Sequence, residues 1–343
     1  MSDLRAILKD LVEEGGTLTI EQGRAALTEI LNGEASDAHI ASLVTAIAVR
    51  GVTADELTGF VQAIRALGRP VPLTSAERDQ LVDTCGTGGD ERGTFNISTG
   101  AALVATAAGA KVAKHGNRGV TSKCGSADVL EALGVPVELE PDAAVECLRQ
   151  TGFMFLYAPL LHPALKRVQS VRRALGFRSI FNLAGPLSNP AGAKAQLMGV
   201  FAAKSVAVVS EAMAKLGTRH SMVVHGAGGV DELTLQPGSE VAEVRDHTVR
   251  LFHMRPAEAG LEEAPLSALT GGDAQRNASI LEQILQGELG PCRDVVLLNA
   301  AAALIVAGLA TDFAEGVRLG AETIDSGAGF ELLVRLREFK VKG

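Results

Sequence analysis

Leu4, Ile7, Leu8 and Leu11 recur at the i, i+3, i+4, i+7 spacing that gathers apolar side chains on one face of a helix. Gly15 and Gly16 follow and predict its end. Thr19 and Gln22 have the spacing of a capping box, ahead of a stripe of Leu27, Ile30 and Leu31 that Gly33 closes. Ser36 precedes Ile40, Leu43, Val44 and Ile47, with Gly51 beyond. Thr53 and Glu56 open a fourth stripe, Leu57, Phe60, Val61, Ile64 and Leu67, ended by Gly68. Residues 1–72 therefore read as a small helical domain of four short helices. Pro70 and Pro72 disfavour helix in the residues before them, so 69–72 reads as an extended connector.

Beyond residue 73 the pattern changes to apolar run, glycine loop, helix, repeated. Strands are predicted at 81–84, 111–114, 135–139, 153–157, 197–201 and 222–224. Helices are predicted at 98–108, 126–133, 142–150 and 205–216. Runs 241–244 and 248–252 suit an antiparallel pair, and helices at 273–285, 294–309 and 313–324 end the chain. Such alternation builds a mainly parallel sheet flanked by helices. The fold class is α/β, with a small N-terminal helical domain and a larger domain over 73–343. The Ala-rich runs at 101–110 and 300–303 read as close-packed helix faces.

Composition narrows the function. Aromatics are 3% of the chain, with no Trp, which argues against base-stacking nucleic-acid platforms. The formal net charge of −8 repels nucleic acid and anionic lipid, so an anionic substrate needs a local cationic site. Cys85, Cys124, Cys147 and Cys292 form no CxxC or Cys/His ligand spacing and read as reduced thiols of a cytoplasmic protein. The first residues carry acids and no apolar core, so no secretory signal is expected. No apolar stretch reaches the roughly 20 residues of a membrane span.

Ligands of parallel sheets bind where strands end, which directs attention to four stretches. The first, 83–90, holds Gly86, Gly88, Gly89 and Asp90 and runs through Thr94 into Asn96, Ile97, Ser98 and Thr99. Glycine lets backbone N–H groups approach phosphate, and a helix start adds positive dipole. A tight turn with an ordinary N-cap would look the same. Neither a Walker A nor a dinucleotide fingerprint fits it.

The second stretch is Lys114, His115, Gly116, Asn117, Arg118, Gly119, Val120, Thr121, Ser122, then Lys123 to Ser126. Its cations, glycines and hydroxyls suit a polyphosphate, with Lys114 read as a loop cation acting on ligand rather than core. The third is basic, with Lys166, Arg167, Arg172, Arg173 and Arg178, and equally suits a solvated helix face. The fourth places Asp231 and Glu232 beyond a glycine turn, oxygen ligands of the kind Mg²⁺ takes beside phosphates. No catalytic triad or HExxH spacing occurs, and His115, His162 and His225 read as structural. No acid or base is assigned, so catalysis is expected from positioning and charge stabilisation.

Together, residues 86–90, 96–99, 114–118, 125–130, 172–178, 182–187 and 231–232 closely resemble the anthranilate phosphoribosyltransferase family. The resemblance spans nearly the whole chain. Residues 114–118 also resemble the pyrimidine nucleoside phosphorylases, which share the fold. There the first loop is longer before its Asp, and an adjacent Asp-Glu pair is not expected.

The resemblance implies transfer of the phosphoribosyl group of phosphoribosyl pyrophosphate to the amine of anthranilate. It implies that this donor meets Gly86, Gly89, Asp90, Thr94, Asn96 to Thr99, Lys114 to Ser122 and Ser126. Anthranilate would meet Gly86, Asn117 and Arg172, and Mg²⁺ would be held by Ser98, Asp231 and Glu232. Helices near 165–188 would complete the helical domain. A homodimer through that domain is implied, with room for association with anthranilate synthase subunits and no nucleic-acid or membrane partner.

Overall fold

Thr19 and Thr53 each accept a hydrogen bond from the N–H three residues on, and Gln22 and Glu56 each return one. Those capping boxes start two of the N-terminal helices. A computed structural model describes residues 4–119 and 123–340. In it α1 (Leu4–Lys9) loosens into a π turn at Asp10–Glu14 and stops at Gly15, φ +67°. Then come α2 (Ile20–Leu31), α3 (Asp37–Arg50) and α4 (Ala54–Ala66). Glu56 is fully buried, and its carboxylate also accepts from Leu18 N at 3.0 Å and pairs with Arg50 at 2.6 Å. A buried carboxylate needs such partners.

The connector leads to α5 (Ser75–Gln80), capped by Thr74 and Glu77, which the apolar pattern does not announce. The α/β region follows as β1 (Leu81–Asp83), α6 (Ile97–Ala107), β2 (Lys111–Gly116), α7 (Ser126–Ala132), α8 (Pro141–Thr151) and β3 (Phe153–Tyr157). The chain then returns to the helical domain as α9 (Ala158–Leu161), α10 (Lys166–Leu175) and α11 (Ile180–Leu187). Here α10 packs on α2 and α3, and α11 on α3 and α4. Val168, Val171, Ile180 and Phe181 share the N-terminal helices' core. Arg65, at the end of α4, donates to the Leu187 carbonyl from Nε at 3.0 Å and Nη2 at 2.6 Å.

The sheet resumes with β4 (Ala195–Gly199), α12 (Ser205–Lys215), β5 (His220–His225), β6 (Ser239–Arg245) and β7 (Thr248–Met254). Helices α13 (Ala274–Leu285), α14 (Pro291–Ala307), α15 (Phe313–Asp325) and α16 (Ala328–Glu338) close the chain. Spatial order is β3-β2-β1-β4-β5-β6-β7, parallel from β3 to β5 and antiparallel thereafter. Successive strands add to one side of β1 and then to the other. The order therefore reverses between β1 and β4, where a crevice opens beyond the strand ends.

The expected strand at 135–139 does not form. Val135 and Val137 are buried while Glu138 is exposed, so the segment alternates as a strand does. It lies extended on the core without a ladder, and Pro136 has no N–H to give one. The Ala-rich runs do form close helix faces, with α6 packed on α14. A Cβ at Gly100 would sit 2.8 Å from Leu281 and 3.0 Å from Val296, which is why glycine stands there. Among the described residues no helix is long and apolar enough to cross a membrane.

Candidate active site

β1 delivers Asp83 to the crevice floor, fully buried. Its carboxylate accepts from Cys85 N at 3.0 Å, His115 N at 3.1 Å and Asn189 Nδ2 at 2.8 Å. Burial pushes its pKa up to about 6, against the pull of Asn189 and Lys114. Asp83 thus staples β1, the first loop and β2 beneath the site. The loop then turns through positive φ at Gly88, Gly89, Glu91 and Gly93. Thr87 N donates to Gly199 O at 2.9 Å, and Gly88 N donates to the Asp231 carboxylate. At Gly86 a Cβ would press on Gly199 O at 3.1 Å and Asp231 Oδ2 at 3.4 Å, so a side chain has little room. Thr94 bridges to Thr270, and the chain enters α6 at Asn96. Ile97 and Thr99 are fully buried, and their N–H groups donate to Phe95 O and Asn96 O.

Beyond β5 a turn over 226–230 carries Asp231 and Glu232 onto this loop. Burial, then the Asp90 carboxylate, push Asp231 up to about 7; burial, then Asp231, push Glu232 up to about 8. Asp231 N donates to Asp90 Oδ2 at 3.4 Å, and Ser98 N donates to Glu232 Oε1 at 3.1 Å. Lys114 opposes the rise at Glu232. Crowded carboxylates that resist ionising together, with the Ser98 hydroxyl beside Glu232, are oxygen donors of the kind Mg²⁺ takes, although among the described residues no three acids are arranged as a ready-made metal cluster.

Lys114 itself corrects the loop expectation. β2 continues through Gly116, and Lys114 is 2% exposed inside it. Its Nζ donates to Thr84 O at 3.1 Å, Thr84 Oγ1 at 3.0 Å and Ser98 Oγ at 3.4 Å. The ammonium is part of the floor, under the acid corner.

The second loop leaves β2 at Gly116, where a Cβ would strike Ser126 Oγ and the Phe155 ring. Asp128 gathers it by accepting from Gly119 N and Gly125 N, both at 2.8 Å. Ala127 N donates to Asn117 O at 3.2 Å, and Ser126 begins α7. Val120, Thr121 and Ser122 lie outside the described residues. Arg118 is turned away from the expected phosphate role. Its guanidinium meets Asp128 at 3.3 Å, Glu131 at 2.7 Å and Glu138 at 3.1 Å, and lies over the Tyr157 ring. Three carboxylates on and after α7 hold that cation.

At the domain junction the rings of His115 and His162 meet edge to face, 5.2 Å apart, both almost fully buried. The Gly185 backbone lies beside His115 and the Ser188 and Ile64 backbones beside His162, at less than ideal hydrogen-bond geometry. Burial holds His115 well below its usual pKa, helped by His162 and Arg65, and brings His162 down to about 4. Arg172 lies on α10, half-buried, its guanidinium over the Phe181 ring at 5.2 Å and its pKa lowered by burial. Arg178 reaches from the end of the helical domain to Gly89 O and, at 2.9 Å, to Glu91.

The structure thus gathers Gly86, Asp90, Ser98, Lys114, Asp231 and Glu232 at one corner. Arg172 stands on the other domain. Asp83, Asp128 and Asn189 hold this frame and were not singled out from sequence. Each is a lone polar residue whose partners lie in other elements.

Two family descriptions match the chain: the helical bundle domain of the glycosyl transferase family over residues 5–68, and its a/b domain over 78–330. Anthranilate phosphoribosyltransferase of Desulforamulus reducens is 47% identical over 328 residues, covering 96% of this chain and 94% of its own. The enzyme of that name from Pelotomaculum thermopropionicum is 48% identical over 328 residues, at the same coverage. The chain belongs to the anthranilate phosphoribosyltransferase family.

A solved anthranilate phosphoribosyltransferase from Thermus thermophilus superposes with TM-score 0.90 at 41% identity, over 99% of both chains. The Saccharomyces cerevisiae enzyme in complex with PRPP and Mg superposes with TM-score 0.87 at 27% identity, over 97% of this chain and 96% of that one. The chain is therefore a glycosyltransferase-family enzyme, and its two-part fold is that of its relatives.

Proposed function

We propose that the crevice between β1 and β4 transfers the 5-phosphoribosyl group of phosphoribosyl pyrophosphate to the amine of anthranilate. The products are N-(5-phosphoribosyl)anthranilate and pyrophosphate, within L-tryptophan biosynthesis. One observation carries this reading: Ser98, Asp231 and Glu232 meet over a buried Lys114 at the mouth of a glycine loop. Relatives of that name support it, the Saccharomyces cerevisiae enzyme having been solved in complex with PRPP and Mg and, separately, with 4-fluoroanthranilate.

In this reading Ser98, Asp231 and Glu232 hold Mg²⁺, which supplies counter-charge to the diphosphate. Backbone N–H groups of Gly86, Gly89 and Asp90 donate to phosphate oxygens, with the positive end of α6 at Asn96 to Thr99 beside them. The described part of the second loop, Gly116 to Gly119, and Ser126 complete the cradle. Arg172 bonds the anthranilate carboxylate, with Asn117 and Gly86 alongside.

The C1–O bond to pyrophosphate lengthens first and leaves an oxocarbenium-like ribose; the electron pair departs with pyrophosphate. The neutral aromatic amine then forms the C1–N bond and sheds its proton afterwards, so no strong base is required. Residues 1–72 with the helices near 165–188 act as one domain and the remainder as the other. We further take the enzyme to be a cytoplasmic homodimer, with exposed Val12 and Val49 on the helical domain suited to an interface.

Anthranilate fluorescence tests the reaction. It should fall only when protein, phosphoribosyl pyrophosphate and Mg²⁺ are all present. Release of a pyrimidine base from a nucleoside and inorganic phosphate, with anthranilate untouched, would replace this reading by a phosphorylase. Sedimentation of a single 343-residue species as monomer would overturn the dimer.

A further inference from the structure

Asn96 opens α6 at the N-cap, where an Asn side chain usually bonds the first turn's N–H groups. Here it makes no such bond. Its amide is used elsewhere: Nδ2 donates to Cys124 O at 3.3 Å, and Oδ1 accepts from Asn277 Nδ2 at 2.9 Å. Asn277 lies on α13, 2% exposed, and its own Oδ1 accepts from Gly272 N at 2.7 Å.

The chain of bonds has one direction. A backbone N–H can only donate, so Gly272 fixes which end of Asn277 is oxygen. The Asn277 amino group must then point at Asn96, which fixes Asn96 in turn and aims its amino group at the Cys124 carbonyl. No amide in the series can flip without setting donor against donor or acceptor against acceptor. The series joins three segments: the run before α13, the start of α6 and the end of the second loop. The first is anchored independently, because Gly271 N donates to Gly93 O at 2.9 Å and Phe95 N to Leu269 O at 3.2 Å.

We propose that Asn277 is a positioning residue for the phosphoribosyl site. It sets the separation of the two phosphate loops by dictating the orientation of Asn96, and touches no substrate itself. The inference rests on the reading of those loops given above. Both must meet one diphosphate-bearing ligand at once, so their spacing decides how well it fits. A buried amide that specifies orientation through complete pairing is suited to that task.

Asn277→Asp tests it with almost no change of shape. One carboxylate oxygen still receives the Gly272 N–H, but the other now faces Asn96 and draws its amino group round. Oxygen then meets oxygen at Cys124, and the loops part. The KM for phosphoribosyl pyrophosphate should rise about 5- to 30-fold, with the KM for anthranilate changed less than about twofold. Hydrogen exchange in 123–130 should speed up, while that in 278–285 stays slow. Asn277→Ala, which removes the bond without reversing it, should give a smaller rise.

A merely structural Asn277 would lower the melting temperature and the active fraction and leave both KM values alone; that result overturns the proposal. Asn96→Ala separates the two levels of inference. If it raises the KM for phosphoribosyl pyrophosphate while Asn277→Asp does not, the phosphate reading stands and the role of Asn277 falls. If neither does, the placement of that substrate has failed first.

Discussion

The site has two corners of opposite electrostatic design. At the loop ends Asp90, Asp231 and Glu232 crowd together, and their mutual repulsion is opposed by buried Lys114. At the domain junction His115 and His162 meet with Arg65 nearby, Arg172 stands on α10 over Phe181, and burial drives both histidines to the neutral form. The first corner is short of positive charge, which in the proposed reading a divalent cation supplies. The second is buried and carries neutral histidines beside Arg65, and in the proposed reading it lies toward the aromatic carboxylate. A fold that binds two anions at once needs this division, because a single cationic pocket would not tell them apart.

Removing the acid corner should have the largest effect. Asp231→Asn with Glu232→Gln keeps size and removes two half-buried carboxylates that repel each other. Folding should be retained, and the melting temperature equal to or above that of the wild type. Turnover should fall by roughly 100-fold or more, since the departing pyrophosphate loses its counter-charge. Steady-state assays across a Mg²⁺ titration check this. Near-normal turnover with an ordinary Mg²⁺ dependence would show that the corner is not a metal site.

Lys114 tests whether the floor belongs to the ligand or to the fold, and its burial predicts both. Lys114→Met removes charge-assisted bonds to Thr84, each worth about 1.5–3 kcal/mol. Urea unfolding should show a loss of about that size, and binding of phosphoribosyl pyrophosphate should weaken roughly 10-fold or more. Unaltered stability would return Lys114 to the exposed loop that its sequence neighbourhood suggests.

That contrast shows what the chain discloses by itself. The capping boxes at Thr19 and Thr53 and the stripes behind them are local signals, so the helical domain can be read residue by residue. The acid pair and the glycine loop are also local, and the structure brings them together. Other features depend on distant partners. Asn189 meets Asp83 across 106 positions and Asn277 meets Asn96 across 181, and neither carries a mark in its own neighbourhood. A lysine at a strand's end resembles one in a loop until the paired strand shows how far the ladder runs. Residues 135–139 alternate because an extended segment packs one side on the core, which does not require a sheet.

At the junction, Arg172 should divide the substrates. Its guanidinium lies over the Phe181 ring, and the residue is half out of the core. A planar fork suits a carboxylate, and one such bond is worth roughly 1.5–3 kcal/mol, or about 10–150-fold in affinity. Arg172→Ala should raise the KM for anthranilate by about that factor and leave that for phosphoribosyl pyrophosphate nearly unmoved. Aniline, which lacks the carboxylate, should be a poor substrate for both proteins. If the variant penalises aniline and anthranilate alike, Arg172 acts through packing, and the junction loses its claim to the carboxylate.

The smallest effect on turnover, and the sharpest test of dryness, lies with His162. Burial lowers its pKa from 6.5 to about 4, so the folded chain keeps the ring neutral where the unfolded chain would protonate it. As pH falls below 6.5 the unfolded state takes up the proton first, and stability is lost progressively until the folded pKa is reached. Above about pH 7 the group contributes no slope. Between roughly pH 6.5 and 5 its share of the loss is about 2 kcal/mol. His162→Gln should remove that share from urea unfolding curves while activity near neutral pH stays within a few-fold of wild type. Some slope should persist, because His115 is depressed in the same direction and faces the same pocket. An acid limb as steep in the variant as in the wild type would mean that the His162 ring is already solvated when folded. The junction would then be open to solvent, and the division between the two corners would rest on Arg172 alone.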